Sequence, residues 1–293
     1  MNNWTLLGIS LVVNLAGGVF KMYLVDTQER SAGMRHMLNA VVSATAALGL
    51  TLTAGNLQVS MFTVLLALAF GLVTAVQQVA SLQAMETGPY SYTSVIVSLS
   101  TLIPTMSGVL IWKESLSWLQ MIGIGLMVVC FVLSVEKDQN QKKATVKWLL
   151  YCAVAFVCTG LIGVMQKWHQ NTDYKTELDG FLVIAFAVSF VYSASCLGIN
   201  RIAEGKQIGK KFGKYAALSI LLMILIGASA ATCNKLNLYL SGAMDSSVFF
   251  PIVNGGGLVL TTLAAMLLFK ERLSHRRWIG IAIGILSVLC LCV

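Results

Sequence analysis

Apolar runs of roughly 18 to 22 residues recur along the chain, each closed by a short polar stretch. A hydrocarbon layer about 30 Å thick takes ~20 helical residues to cross, so this rhythm predicts membrane-spanning helices. Ten such runs lie near residues 4–24, 37–54, 60–83, 90–111, 117–135, 147–167, 180–200, 215–238, 246–268 and 277–293. The longest polar stretches between them, 25–36, 136–146, 168–179 and 201–214, are too short to hold a domain. The first run follows no basic segment and is longer than the apolar stretch of a signal peptide, so it is expected to stay as the first span. The expected fold is therefore all-α and integral to the membrane, one domain over residues 1–293 with its midpoint at 136–146.

Composition sharpens this picture. With 57% hydrophobic residues, 11% charged residues and a mean hydropathy of +0.80, the chain is too apolar for a water-soluble domain. Its charges fall between the runs or at their ends, where the cost of placing an ion in hydrocarbon is avoided. The net charge of +8 thus belongs to short connectors, which speaks against nucleic-acid binding and for membrane-side loops. All seven cysteines sit inside apolar runs as small core residues, and no Cys-x-x-Cys pairing with nearby His suggests a metal or any other cofactor. The three histidines, His36, His169 and His275, are read as isolated in loops. With no cluster of nucleophile, acid and base, an enzyme is not expected.

The two halves repeat each other in order. Asn14-Leu-Ala-Gly17 followed by Lys21 matches Gly160-Leu-Ile-Gly163 followed by Lys167. Gly88-Pro-Tyr-Ser aligns with Gly242-Ala-Met-Asp, and Trp112-Lys-Glu-Ser-Leu-Ser117 aligns with Phe269-Lys-Glu-Arg-Leu-Ser274. Residues 1–136 and 147–293 are accordingly expected to be two five-helix repeats. An odd number of spans puts the second copy into the membrane inverted, so that two such halves can enclose a site reachable from either side.

In these segments the chain resembles the drug/metabolite transporter superfamily and, within it, the ten-helix EamA-type proteins. The most recognisable stretch runs from Asp245-Ser-Ser-Val-Phe-Phe-Pro-Ile-Val-Asn254 through Phe269-Lys-Glu-Arg-Leu to Ile279-Gly-Ile. Its first-half counterpart runs from Ala84-Met-Glu-Thr-Gly-Pro-Tyr-Ser through Trp112-Lys-Glu-Ser-Leu. The resemblance implies a central cavity formed by helices 1–4 and 6–9, with helices 5 and 10 peripheral. It implies a small-molecule substrate, drawn from amino acids, sugars, sugar phosphates, nucleotide sugars, amines or drugs. It also implies residence in the lipid bilayer of the cell membrane, a bacterial plasma (inner) membrane.

Polar residues well inside apolar runs are the candidates for chemistry. Lys235, flanked by Asn234 and Asn237, is either a lysine snorkelling to the interface or a cationic handle for substrate. Lys21 and Lys167 close the first helix of each half, each seven residues beyond a polar or small position on the same face, Asn14 and Gly160. They are helix-end anchors or charged rims of the two cavity mouths. Gln77 and Gln78 either lock to a neighbouring helix or line the cavity, and Asn254 poses the same choice. Tyr92, with Tyr90 and Tyr192, is an interfacial or a cavity aromatic. Pro104 and Pro251 fall in equivalent helices, the second followed by Gly255 and Gly256, so helices 4 and 9 are the predicted bending elements. The repeated pairs Lys113-Glu114 and Lys270-Glu271 are read as hairpin anchors. Gly123, Gly125, Gly280 and Gly284 are read as close-contact positions, within a monomer or across a homodimer.

No Asp or Glu falls near the middle of any run, and the first helix offers Asn14 where the small multidrug-resistance relatives carry a carboxylate. The expected activity is therefore uniport or exchange of a neutral or anionic metabolite, with a flippase for a lipid-linked sugar or a non-transporting receptor as alternatives. Lys and Arg concentrate after spans 1, 5, 7 and 9, which by the positive-inside rule puts both termini outside. The resembled family is described with both inside. The inverted duplication predicts that Lys21 and Lys167 emerge on opposite faces of the membrane. Single cysteines placed beside these two lysines and probed with an impermeant reagent read this directly, and labelling of both from one side would remove the inverted arrangement.

Overall fold

In the computed structural model, residues 2–27, 32–55, 57–134, 144–204, 216–269 and 274–292 are described. Among them there are helices and no strands. The helices are α1 Asn3–Thr27, α2 Ala32–Thr53, α3 Met61–Thr87, α4 Tyr90–Leu99, α5 Leu102–Leu110 and α6 Trp118–Leu133. They continue with α7 Val146–Gln170, α8 Leu178–Glu204, α9 Ala216–Ala243, α10 Ser246–Pro251, α11 Gly257–Phe269 and α12 His275–Leu291. Eight helical segments of the described residues are long and apolar enough to cross a membrane. Of the ten expected spans, those at 117–135 and 277–293 become the shorter helices α6, of 16 residues, and α12, of 17. The lysine-bearing helix α9 is longer than expected and ends at Ala243, not at residue 238.

Two expected spans are interrupted, and in each case proline explains where. The run 90–111 breaks into α4 and α5 at Ser100–Thr101. Pro104 has no N–H to give the Ser100 carbonyl, which instead accepts the N–H of Ile103 at 3.0 Å. The run 246–268 holds Pro251 at the end of α10, and the ladder then slips into a π-helical turn over Ile252–Gly256 before α11 resumes. Gly255 in that turn has the Met127 side chain packed on it so closely that a Cβ would collide.

The helices form two compact units, each drawing on both halves of the sequence. One comprises Met1–Leu7, Val73–Asn171 and Leu238–Val293; the other comprises Gly8–Leu72 and Thr172–Asn237. In the first unit α5 packs on α7 and α10, α4 on α7, and α6 along α12. Small residues set these approaches: a Cβ at Gly160 would meet Ile103, and one at Gly163 would meet the Pro104 ring. Gly123, Gly280 and Gly284 do the same between α6 and α12, where Ser287 Oγ also donates to the Gly123 carbonyl at 2.6 Å. Their close contacts are thus made within the chain, whereas Gly125 faces open space. Trp148 Nε1 donates to Thr93 Oγ1 at 2.8 Å and pins α7 to α4.

In the second unit α2 lies along α8, joined by Asn39 to Ser193 (2.6 Å) and Ser43 to Ser189 (3.1 Å). Gly17 lies against Ser229 and Gly227 against Thr45, bringing α9 to α1 and α2. Glu177 accepts from the backbone N–H and hydroxyl of Ser60, at 2.9 and 2.8 Å, and so caps the start of α3 from the α7–α8 connection.

A Gly163→Ala substitution forces a methyl group against the rigid ring of Pro104 and is expected to cost about 1–3 kcal/mol by overpacking. Gly125→Ala, with nothing within reach of the new methyl group, is expected to be neutral or slightly stabilising. Thermal unfolding in detergent compares the two, and equal midpoints would refute this account of the α5–α7 contact.

Candidate functional site

In the first unit the two interrupted helices meet side chain to side chain. Asn254, within the π-helical turn, donates to Thr101 Oγ1 at 3.0 Å and to the Phe250 carbonyl at 2.9 Å. Thr101 is the residue at the α4–α5 break and is buried. Asn254 therefore joins one break to the other, while its residue stays exposed in the middle of an apolar segment. Pro104, Pro251, Gly255 and Gly256, the predicted bending positions, are all buried around this junction. Seven residues before Asn254, Ser247 buries a hydroxyl that has no hydrogen-bond partner. Buried polar groups are normally satisfied, and this hydroxyl is an exception in the helix that carries Asn254.

At the start of α10 the same unit holds a buried ion pair. Lys167, only 4% exposed, places Nζ 2.7 Å from Glu114 Oε1 and donates to the Met244 carbonyl at 2.9 Å. Glu114 also accepts from Ser246 N at 2.7 Å and Ser246 Oγ at 3.2 Å. Lys167 is thus neutralised inside the protein, so the reading of Lys167 as a free rim charge or a snorkelling anchor gives way to a structural pair. The desolvation that would make a lone lysine costly here is offset by the carboxylate and the carbonyl. Of the expected Lys-Glu anchor, Glu114 does the anchoring, while Lys113 is exposed with a φ of 55°. Lys270 and Glu271 lie outside the described residues.

In the second unit Lys235 pairs with Asp179 at 2.7 Å, with 37% and 15% of the two side chains exposed. Asp179 sits one residue into α8, and Lys235 lies eight residues before the end of α9. On the other face of α9, Asn237 accepts from Ser10 Oγ at 2.5 Å and donates to Cys233 Sγ at 3.5 Å. Asn14 is exposed on α1 and reaches the same cysteine. Asn234 turns back to its own helix, donating to the Ala230 carbonyl at 2.8 Å. Asn14, Asn237, Cys233 and Ser10 therefore gather where α1 meets α9.

The remaining candidates are dispersed. Lys21 and Tyr92 are exposed on α1 and α4. Gln77 donates to Ser81 on its own helix at 3.0 Å, and Gln78 is half-buried beside it. Tyr192 meets His36 edge to face at 6.4 Å. His36, His169 and His275 are helical and not in loops, and His169 is fully buried with Gln170 Nε2 3.0 Å from its Nδ1. Asp179 and Thr101 escaped the sequence reading, and Glu114 entered it as a hairpin anchor without its partner Lys167. Acidic residues were sought at mid-span, whereas Glu114 and Asp179 reach their lysines from connector ends. The signal was present in the repetition itself, which carries both a lysine and a glutamate in each half.

A chain of long apolar helices with its polar groups paired inside is a multi-pass helical membrane protein. No family model matches it. It is similar to an uncharacterized protein of Haemophilus influenzae, 24% identical over 200 residues, a match that covers 66% of this chain and 63% of that protein, less than two thirds of its length. A solved crystal structure of a protein superposes with a TM-score of 0.75 at 12% identity, covering 99% of this chain and 98% of that one. That likeness concerns the fold alone.

Lys167→Met leaves the Glu114 carboxylate buried without its cation and is expected to destabilise the protein by about 3–5 kcal/mol. Adding Glu114→Gln is expected to restore most of the loss. Lys235→Met is expected to cost no more than about 1 kcal/mol, because its pair is partly solvated. Denaturation midpoints of the four proteins decide this, and a double variant no more stable than Lys167→Met would show that the pair is not the cause.

Proposed function

We propose that this chain is a transporter that carries a small polar metabolite across the membrane by alternating access, through uniport or exchange. One observation carries the reading: two apolar helices both depart from regular α-helical bonding within their length, tightening at Ser100–Thr101 and widening into a π-helical turn after Pro251, and Asn254 bridges the two places. In lipid, irregular backbone is tolerated only where protein encloses it or water reaches it, and transporters place substrate sites at such broken helices. The unpaired Ser247 hydroxyl fits a polar ligand nearby.

Further support comes from which helices associate. α2 lies along α8, α5 against α10 and α6 along α12. These are the second, fourth and fifth spans of one sequence half meeting their counterparts in the other, as duplicated EamA-type halves would. The resemblance to the drug/metabolite transporter superfamily therefore remains the working family assignment. With Lys167 and Lys235 both paired to carboxylates, a net-neutral or zwitterionic solute suits the interior better than a free anion.

A second reading has one observation in its favour. An apolar groove of about 510 Å³, lined by residues of α2, α8 and α9 such as Leu48, Phe190 and Ile224, is the right size and polarity for an acyl chain. A flippase for a lipid-linked sugar would use such a surface, and movement of a fluorescent polyprenyl-linked sugar in vesicles would separate the two.

A thermal-shift screen of the detergent-purified protein against amino acids, sugar phosphates, nucleotides and amines is expected to yield a stabilising solute, which then drives counterflow in proteoliposomes. Lys235→Ala and Asn14→Ala are expected to abolish that stabilisation and the counterflow while expression is unchanged. Wild-type responses in both variants would remove these residues from the site, and absence of counterflow by any hit would remove the transport reading.

A further inference from the structure

The first unit contains a polar cavity of about 580 Å³ where α7 and α9 end and α10 and α6 begin. Its walls include Trp4, Trp112, Glu114, Lys167, Asn171 and Asp245. The charge on these walls can be followed bond by bond. Lys167 and Glu114 neutralise each other, and the Glu114 oxygens are further occupied by the N–H and hydroxyl of Ser246. Asp245 stands at the N-cap position of α10, where an aspartate normally accepts a backbone N–H, yet it makes no such bond. Its side chain takes no N–H of the first α10 turn, the Ser246 N–H goes to Glu114, and among the described residues Asp245 makes no ion pair. Its exposed carboxylate is left facing the cavity.

One unmatched negative charge, side-chain amides and two indoles make a surface complementary to a positive, weakly hydrated group. A carboxylate supplies the charge and tryptophan faces attract a cation through their quadrupoles. An inorganic ion holds its water too tightly to profit from the indoles, whereas an alkylammonium presents C–H and N–H surface to them. We propose that this cavity is a receptor for an organic ammonium group. The cavity lining includes neither Asn254 nor Lys235 nor Asp179, and binding there requires no flux through the protein. An ammonium group there belongs either to a solute on its way through the membrane or to a separate effector, and both present the same chemistry to Asp245.

The test uses the full-length protein in detergent, titrated with tetramethylammonium chloride at constant ionic strength while intrinsic tryptophan fluorescence is followed. Sodium chloride and neutral tert-butyl alcohol are the comparison titrants. A saturable change with tetramethylammonium alone is expected. Asp245→Asn is expected to weaken it about tenfold or more. Asparagine serves as well as aspartate at an N-cap, so the fold is retained. Trp112→Leu is expected to reduce both the signal and the affinity, and Asp173→Asn, an exposed carboxylate elsewhere, to change neither. Equal saturation by sodium would mark an inorganic-ion site, and unchanged affinity in Asp245→Asn would place the cation elsewhere; either result overturns the proposal. Because binding is read without transport, failure here is distinct from failure of counterflow.

Discussion

Hydrocarbon gives no hydrogen bonds, so every backbone group and every charge that enters it must find its partner inside the protein. The consequences run through the whole chain. Hydroxyls within the helices fold back onto the carbonyl one turn earlier, as Thr93, Thr105 and Thr159 do. Where proline removes a donor the ladder cannot simply be left open. At Pro104 it tightens to an i→i+3 bond, and at Pro251 it widens to a π-helical turn. The Asn254 amide then ties the two irregular places together. A break that would be costly alone becomes tolerable because it is matched by another.

The same constraint governs the lysines. Lys167 is buried and fully paired, with a carboxylate and a carbonyl on its ammonium group. Glu114 performs two tasks at once, holding the lysine and capping α10, so that a connector residue becomes the fixed point among α5, α7 and α10. Lys235 is paired as well, but its surroundings are wetter. A buried pair of this kind is sensitive to loss of one member, whereas a half-exposed one has water to fall back on. The two lysines therefore divide into one enclosed by the protein and one that stays partly in contact with solvent.

Between helices there is no hydrophobic force to exploit in lipid, and close packing with small residues takes its place. Gly160 and Gly163 admit α5 to α7, and Gly123, Gly280 and Gly284 admit α6 to α12. These approaches hold the broken helices against unbroken neighbours. A rigid frame around the irregular segments is what gives Asn254, Thr101 and Ser247 defined positions, and a cavity such as the one below Asp245 defined walls.

Much of this was legible in the residues before any coordinates. Length and apolarity of the runs decide that helices cross a membrane, because the thickness of the lipid and the rise of a helix leave little else. Pro104 and Pro251 announce where the helical hydrogen-bond ladder turns irregular, since a missing N–H is a property of the residue itself. Gly123, Gly280 and Gly284 announce close contacts for the same reason. What only the tertiary structure decided is which partner each polar group takes. Nothing local pairs Lys167 with Glu114, Lys235 with Asp179, or Asn254 with Thr101, because the partners lie 53, 56 and 153 positions apart and meet only once the helices have packed. Charge and hydrogen-bond capacity belong to a side chain, but whether they are spent or free depends on its neighbours in space.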